Sequence, residues 1–340
     1  MTFFILLIVF LIILLQIIML FNNTHTYCPL KIFFSFILFL SNIFFVNLHP
    51  EKTHKQKRNM NQVSARLAVL SPSETIAMSQ KCSKLAAQGI DVINLTLGEP
   101  DFNTPTHIKE AAKKAIDDNF SFYTPVPGYL TLRNAIVNKL RKENNLEYKA
   151  EQIVCSNGAK QSVCNVLMCV VGKGDEVILP APYWVSYAEM VKLAEGTNVI
   201  VEAGIEQDFK ITPVQLEAAI TPKTKVFILC SPSNPTGSVY TKEELKGLAD
   251  VLAKYPNIIT ISDEIYEHIT YMDKHESIAQ FEYIRNQVVI ANGVSKAYAM
   301  TGWRIGWIAA PQAIASACNK LQSQYTSGPC SVAQKASEAA

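Results

Sequence analysis

Four short stretches place reactive or ligating side chains just past runs of β-type residues. In "VSKAYAMTGWR" (294–304), Lys296 follows Ser295 in a small, apolar, turn-rich context, with Arg304 eight positions on. A desolvated lysine loses its proton readily, and a neutral amine in a dry place is suited to Schiff-base chemistry. "SDEIYEHITY" sets Asp263 and Tyr266 three apart behind "NIITI". A carboxylate buried there needs a cation or a protonated heterocycle as partner. "CSNGAKQ" (155–161) ends a strand and opens a helix, so Gly158, Ala159 and Lys160 offer amides at a helix N-terminus, an anion site. In "SPSNPTG" (231–237), two prolines bracket Asn234 and hold its amide over a strand end. Taken singly, each has a plainer reading: a Gly turn, a Pro/Gly turn, an N-cap aspartate, a lysine reaching back to solvent.

Together the four match what pyridoxal phosphate requires. Its phosphate must be anchored, its ring nitrogen kept protonated by a carboxylate, its ring oxygen hydrogen-bonded and its aldehyde held by a lysine. The reading therefore assigns no metal to the site.

The elements that must carry these residues are legible from about Arg66. "SETIAMSQKCSKLAAQG" (73–89) has helical spacing and a Gly after its last turn. "IDVINLTLG" (90–98) reads as a short β-type run, followed by helices at "THIKEAAKKAIDD" and "TLRNAIVNKLRKENN". Strands "EQIVCS", "DEVILP", "NVIVEA", "KVFILC", "NIITISDE" and "QVVIANG" then alternate with helices over most of their length, and Thr241 with Glu244 forms a capping box. Continuous Val/Ile/Leu strands imply a largely parallel central sheet covered by helices on both faces. Such α/β sheets bind ligands beyond the carboxyl ends of their strands, where the four stretches fall.

Bulk composition excludes several classes. A net charge of +2 leaves no footprint for nucleic acid. The eight cysteines contain no C-x-x-C pair and several lie in apolar runs, so a reduced, cytoplasmic protein without disulfides or zinc is expected. Residues 1–59 form a hydrophobic leader with two readings. The apolar runs at 3–21 and 32–46 suit a membrane anchor, with the Lys and Arg residues at 52–58 holding the following domain on the cytosolic side. Alternatively the leader is an over-extended start, because residues 1–49 contain neither Ala nor Gly and Met60 opens a sensible soluble sequence.

From about Gln62 onward the chain resembles the fold-type I pyridoxal-phosphate aminotransferases of class I, in the aspartate and prephenate branch of bacteria and plants. The resemblance rests on "LTLGEPDFNTP", "YTPVPGYLTLR", "SNGAKQS", "GDEVILPAPYWVSY", "SPSNPTGSVYTKEEL", "SDEIYEHITY" and "NGVSKAYAMTGWRIGW", in family order. It implies a covalent cofactor link at Lys296, Asp263 on the ring nitrogen, Asn234 and Tyr266 on the ring oxygen, and Trp184 stacked on the ring. Phosphate ligands would be the 158–160 loop, Ser295 and Arg304, with Tyr123 donated across the interface of a homodimer. On the substrate side it implies Gly98, Trp184 and Asn234, with Thr75 and Lys160 reading a distal carboxylate.

The implied activity is ping-pong transfer of the amino group of aspartate, or a similar amino acid, to a 2-oxo acid such as 2-oxoglutarate, through pyridoxamine phosphate. Other chemistry on the same scaffold, such as a β-lyase, or a weakly active pseudoenzyme stays open. Residues 60–106 are expected to form an N-terminal arm and part of a small domain, and 107–340 the large domain. The helical pattern runs to Ala340 without a stop signal. The chain is therefore expected to be C-terminally incomplete, lacking the rest of the small domain and the arginine that grips the substrate α-carboxylate.

Overall fold

The structure, a computed structural model, describes residues 64–340 except Leu97. Both readings of the leader concern residues outside that range. Among the described residues, no helix is long and apolar enough to cross a membrane.

The chain enters through two helices, α1 (Ala65–Ala68) and α2 (Glu74–Ala87). Ser73 starts α2, its Oγ accepting from the Ile76 amide at 3.4 Å. Helices α3 (Thr106–Asp117) and α4 (Leu130–Asn144) follow. Each presents an apolar stripe to the core, Ile108, Ala112 and Ala115 on α3 and Leu132, Ile136 and Leu140 on α4.

The α/β alternation is as expected. It runs β1 (Ile153–Ser156), α5 (Ala159–Val170), β2 (Glu176–Ala181), α6 (Ser186–Leu193), β3 (Thr197–Glu202), α7 (Pro213–Ala219) and β4 (Thr224–Cys230). It continues with α8 (Lys242–Leu252), β5 (Ile259–Asp263), β6 (Val288–Gly293), β7 (Gly306–Ala309), α9 (Gln312–Tyr325) and α10 (Ser331–Ala339). The Thr241–Glu244 capping box closes reciprocally, with bonds of 3.2 and 2.7 Å.

The sheet has seven strands in the order β1-β7-β6-β5-β4-β2-β3. Every pairing is parallel except the two made by β7, which run antiparallel to β1 and β6. Alternate residues of a strand feed two separate cores. Phe227 and Leu229 pack with Leu245 and Leu248, while Val226 and Ile228 pack with Val163, Val166 and Val191 on the opposite face. Burial on both faces is why these strands read as continuous apolar runs. Each buried side chain contributes about 1.5–3 kcal/mol of apolar transfer free energy.

One expected element does not form. Residues 90–95 are irregular, and Ile93 and Leu95 are 86% and 88% exposed. A β-type sequence becomes a strand only where a ladder partner meets its amides, and no described strand pairs with this one. Strand β7 is the converse case: four residues, "GWIA", too short to stand out in the sequence, inserted between β1 and β6.

Candidate active site

The parallel strands β4, β5 and β6 lie side by side, so their carboxyl ends deliver Asn234, Asp263 and Lys296 to one edge of the sheet. Strand β1 runs the same way and sends Gly158 toward the same edge. A cavity of about 640 Å³ opens there.

Among its lining are Asn234, Asp263, Tyr266, Ser295, Lys296 and Arg304. Ala159, Lys160, Trp184, Thr75 and Gly98 line it as well. Of the residues expected from sequence, two lie outside this lining. Gly158 contributes space rather than surface. Tyr123 is 98% exposed on a separate loop beside Thr124 and Ser327.

The end of the cavity beside Gly158 is built from backbone. Gly158 precedes α5 with φ of 85° and brings no side chain to cap the first turn. The first-turn amides therefore face outward at the positive end of the helix dipole. Arg304 donates from Nη2 to the Asn157 carbonyl at 3.2 Å and from Nη1 to the Thr301 carbonyl at 2.8 Å. Its guanidinium packs so closely on Gly158 that a Cβ there would stand 2.2 Å from Nη2. Arg304 itself is left-handed, with φ of 59°, a conformation usually paid for only at constrained functional positions. Gly306 on β7 works from beneath, since a Cβ on it would meet the Ala159 nitrogen at 2.1 Å.

The acid end is dry. Asp263 is 3% exposed, and burial pushes its carboxyl up from 3.8 to about 6 despite two donors. Those donors are the Tyr187 hydroxyl, 2.5 Å from Oδ2, and the Ile265 amide, 3.2 Å from Oδ1. Nearby, Asn234 Nδ2 lies 3.4 Å from the Tyr266 hydroxyl, so amide and phenol converge on one point. Burial likewise raises the Tyr266 phenol to about 12, which keeps it a donor at neutral pH.

Lys296 stands between the two ends, 5.6 Å from the centre of the Tyr266 ring. Burial lowers its pKa, an effect that Glu99 opposes and Arg304 reinforces. The amine donates to the Gly98 carbonyl. Thr301 in turn donates to Glu99 at 2.7 Å, tying the irregular 98–104 segment to the lysine loop. Lys160 lies over the face of Trp184, 4.8 Å from the ring centre, and burial lowers its pKa as well.

The sequence reading overlooked Tyr187, Glu99 and Gly306. Tyr187 and Glu99 sit within motifs quoted for other residues, and only their partners across the fold reveal what they touch. The donor set suits a ligand carrying a phosphate at one end, a protonated ring nitrogen at the other, and a group able to react with an amine between them.

The sequence profile of the aminotransferase class I and II family matches residues 90–340. The chain belongs to that family. Among similar proteins, the aspartate/prephenate aminotransferase of Nitrosomonas europaea is 50% identical over 281 residues, 82% of this chain and 71% of that protein. The bifunctional aspartate aminotransferase and glutamate/aspartate-prephenate aminotransferase of Petunia hybrida is 48% identical over 279 residues. This chain spans 58% of the petunia protein's length. Among solved structures, the aspartate aminotransferase of Thermus thermophilus with maleate superposes with a TM-score of 0.79 at 41% identity, covering 82% of this chain and 72% of that one. The fold is thus that of an aminotransferase scaffold.

Proposed function

We propose that the chain carries the catalytic core of an aminotransferase that uses pyridoxal phosphate to move the amino group of aspartate, or a similar amino acid, to a 2-oxo acid such as 2-oxoglutarate. The observation that carries the reading is the single cavity shared by Lys296, Asp263, Tyr266 and Arg304. The residues fit the cofactor on their own chemistry. A buried carboxyl with no cationic partner among the described residues suits a protonated ring nitrogen. The turn at Gly158, with uncapped amides and an arginine against it, suits a phosphate.

Asp263 would hold the ring nitrogen, Asn234 and Tyr266 the ring oxygen, and Trp184 a ring face. Ala159, Lys160, Ser295 and Arg304 would hold the phosphate. When bound, the cofactor supplies an electron sink for charge developing at the substrate Cα. The chain's own part is to bind, orient and move protons. Lys296, its pKa lowered by burial, can act as a neutral amine that takes the proton from the substrate Cα. Gly98 leaves room for backbone approach at the substrate carboxylate, and Thr75 and Lys160 flank the space where a distal carboxylate would lie.

We assign residues 60–106 to an N-terminal arm and part of a small domain; exposed Ile93 and Leu95 are apolar residues such a domain would cover. The working form is a homodimer, each copy's Tyr123 reaching the phosphate held by the other. The reading is supported by Tyr123 being exposed and outside its own chain's cavity. We place the unit in the cytoplasm, consistent with buried cysteines such as Cys155 that pack as small hydrophobes.

The test is consumption of aspartate that depends on added 2-oxoglutarate, run beside pyruvate release from cysteine conjugates. Pyruvate release without 2-oxoglutarate-dependent aspartate loss would replace this reading with a β-lyase.

A further inference from the structure

Among the described residues no cation pairs with Asp263, unusual for so buried an acid. Its sheet neighbours in register are Cys230 on β4 and Ala291 on β6, which bring no positive charge. The next residue, Glu264, is equally buried but turns elsewhere, to Ser262, Ser277 and His275 at 2.8, 2.6 and 3.1 Å. Among the described residues, then, the ionised form of Asp263 rests on one backbone amide and one side chain, the phenol of Tyr187.

Tyr187 comes from α6 and is 2% exposed. Its ring also meets Trp184 edge-on, with centroids 5.3 Å apart and planes at 84°. One buried side chain therefore touches both the acid expected under the ring nitrogen and the indole expected on the ring face. Packing alone does not account for it. A phenylalanine would fill the same volume, but a buried hydroxyl is tolerated only where it has a partner.

We propose that Tyr187 is a positioning residue for the aminotransferase reaction: its hydroxyl keeps Asp263 ionised and aimed at the cofactor ring nitrogen, and its ring edge sets the plane of Trp184. The inference rests on pyridoxal phosphate being the cofactor. The phenol is the only donor to Oδ2 among the described residues. The other titratable groups against this pair are the Cys230 thiol, Glu264 and the Tyr266 phenol, and none of them donates a hydrogen bond to Asp263 among the described residues. Losing the hydroxyl moves the shared proton from the ring nitrogen toward Asp263, which weakens the electron sink without altering the cavity's shape.

The experiment compares the cofactor-free chain with its Tyr187→Phe variant. Equilibrium affinity is measured for pyridoxal phosphate and for an analogue carrying C–H in place of the ring nitrogen. Affinity for pyridoxal phosphate should fall on the order of 10- to 100-fold, the range for a lost bond to a charged group. Affinity for the analogue should stay unchanged. In an Asp263→Asn background, Tyr187→Phe should leave both affinities as they were. Equal losses for the two ligands, no loss for either, or the same loss in the Asp263→Asn background would each reduce Tyr187 to a packing residue. Failure of the unaltered chain to bind pyridoxal phosphate is a separate outcome; it overturns the cofactor reading and this inference with it.

Discussion

The guanidinium of Arg304 occupies the space where Gly158 has no side chain. A Cβ on Gly158 would lie 2.2 Å from Nη2 and 2.7 Å from Cζ, and its φ of 85° disfavours any L side chain. The two residues are far apart in the chain but form a single feature, a turn that can be approached from below only because it is bare. Gly158→Ala is therefore expected to push Arg304 away and strain the turn at a cost of about 1–3 kcal/mol. Affinity of the cofactor-free chain for pyridoxal phosphate, measured by fluorescence quenching, should fall by about tenfold or more. Wild-type affinity in the variant would mean that this turn does not hold the phosphate.

Lys296 gives the sharpest spectroscopic prediction. Adding pyridoxal phosphate to the chain should produce a visible absorption band from the lysine-linked cofactor, and an amino donor should shift it. Lys296→Ala should abolish the band while leaving phosphate-dependent binding measurable. Turnover, where present, should drop on the order of 10²–10⁴-fold, the usual contribution of a positioned acid–base group. A band of unchanged position and intensity in Lys296→Ala would assign the link to another amine.

Asp263 predicts a pH dependence of stability. Its folded-state pKa, about 6, lies above the ordinary 3.8, so the native chain holds this proton more tightly than the unfolded chain does. Stability of the cofactor-free chain from this group is therefore full below about pH 4, falls as pH rises through 6, and stays lower beyond it. The amplitude is on the order of 2–3 kcal/mol. Urea denaturation across pH 4–8, compared with Asp263→Asn, isolates the contribution. The variant should show a flatter profile, and parallel profiles would mean that Asp263 is not buried as described.

Behind Tyr266 lies a second polar feature with a structural role. Glu267, whose side chain is 5% exposed, pairs with Lys139 on α4 and accepts from Asn144 and Asn292 at 2.9 and 2.7 Å. Lys139→Met should leave that carboxylate buried beside two amides and the His268 ring, without its ammonium partner, and cost about 3–5 kcal/mol. Adding Glu267→Gln should recover much of the loss, because the uncompensated charge is gone. Thermal melts of the single and double variants measure both effects. Additive losses would show that the pair is not coupled.

That most of the candidate residues would meet at one sheet edge was legible in the sequence, for a physical reason. Ligand-holding residues of a parallel sheet must follow its strand ends, so motifs such as "SDEIY" and "SNGAK" announce their position by what precedes them. Local sequence also determined the helices, since capping at Ser73 and Thr241 and the stripes of α3 and α4 depend on neighbours within a few residues. What only the tertiary structure decided depends on distant chain segments meeting. The β-type run stayed irregular over 90–95 because no described strand came alongside it. The four residues of β7 became a strand because β1 and β6 flank them. Tyr187, on helix α6, acquired a polar role through Asp263 at the end of β5, and Gly158 its necessity through Arg304. Propensity and spacing act over a few residues, whereas a hydrogen bond across the sheet edge exists only after the whole sheet has assembled.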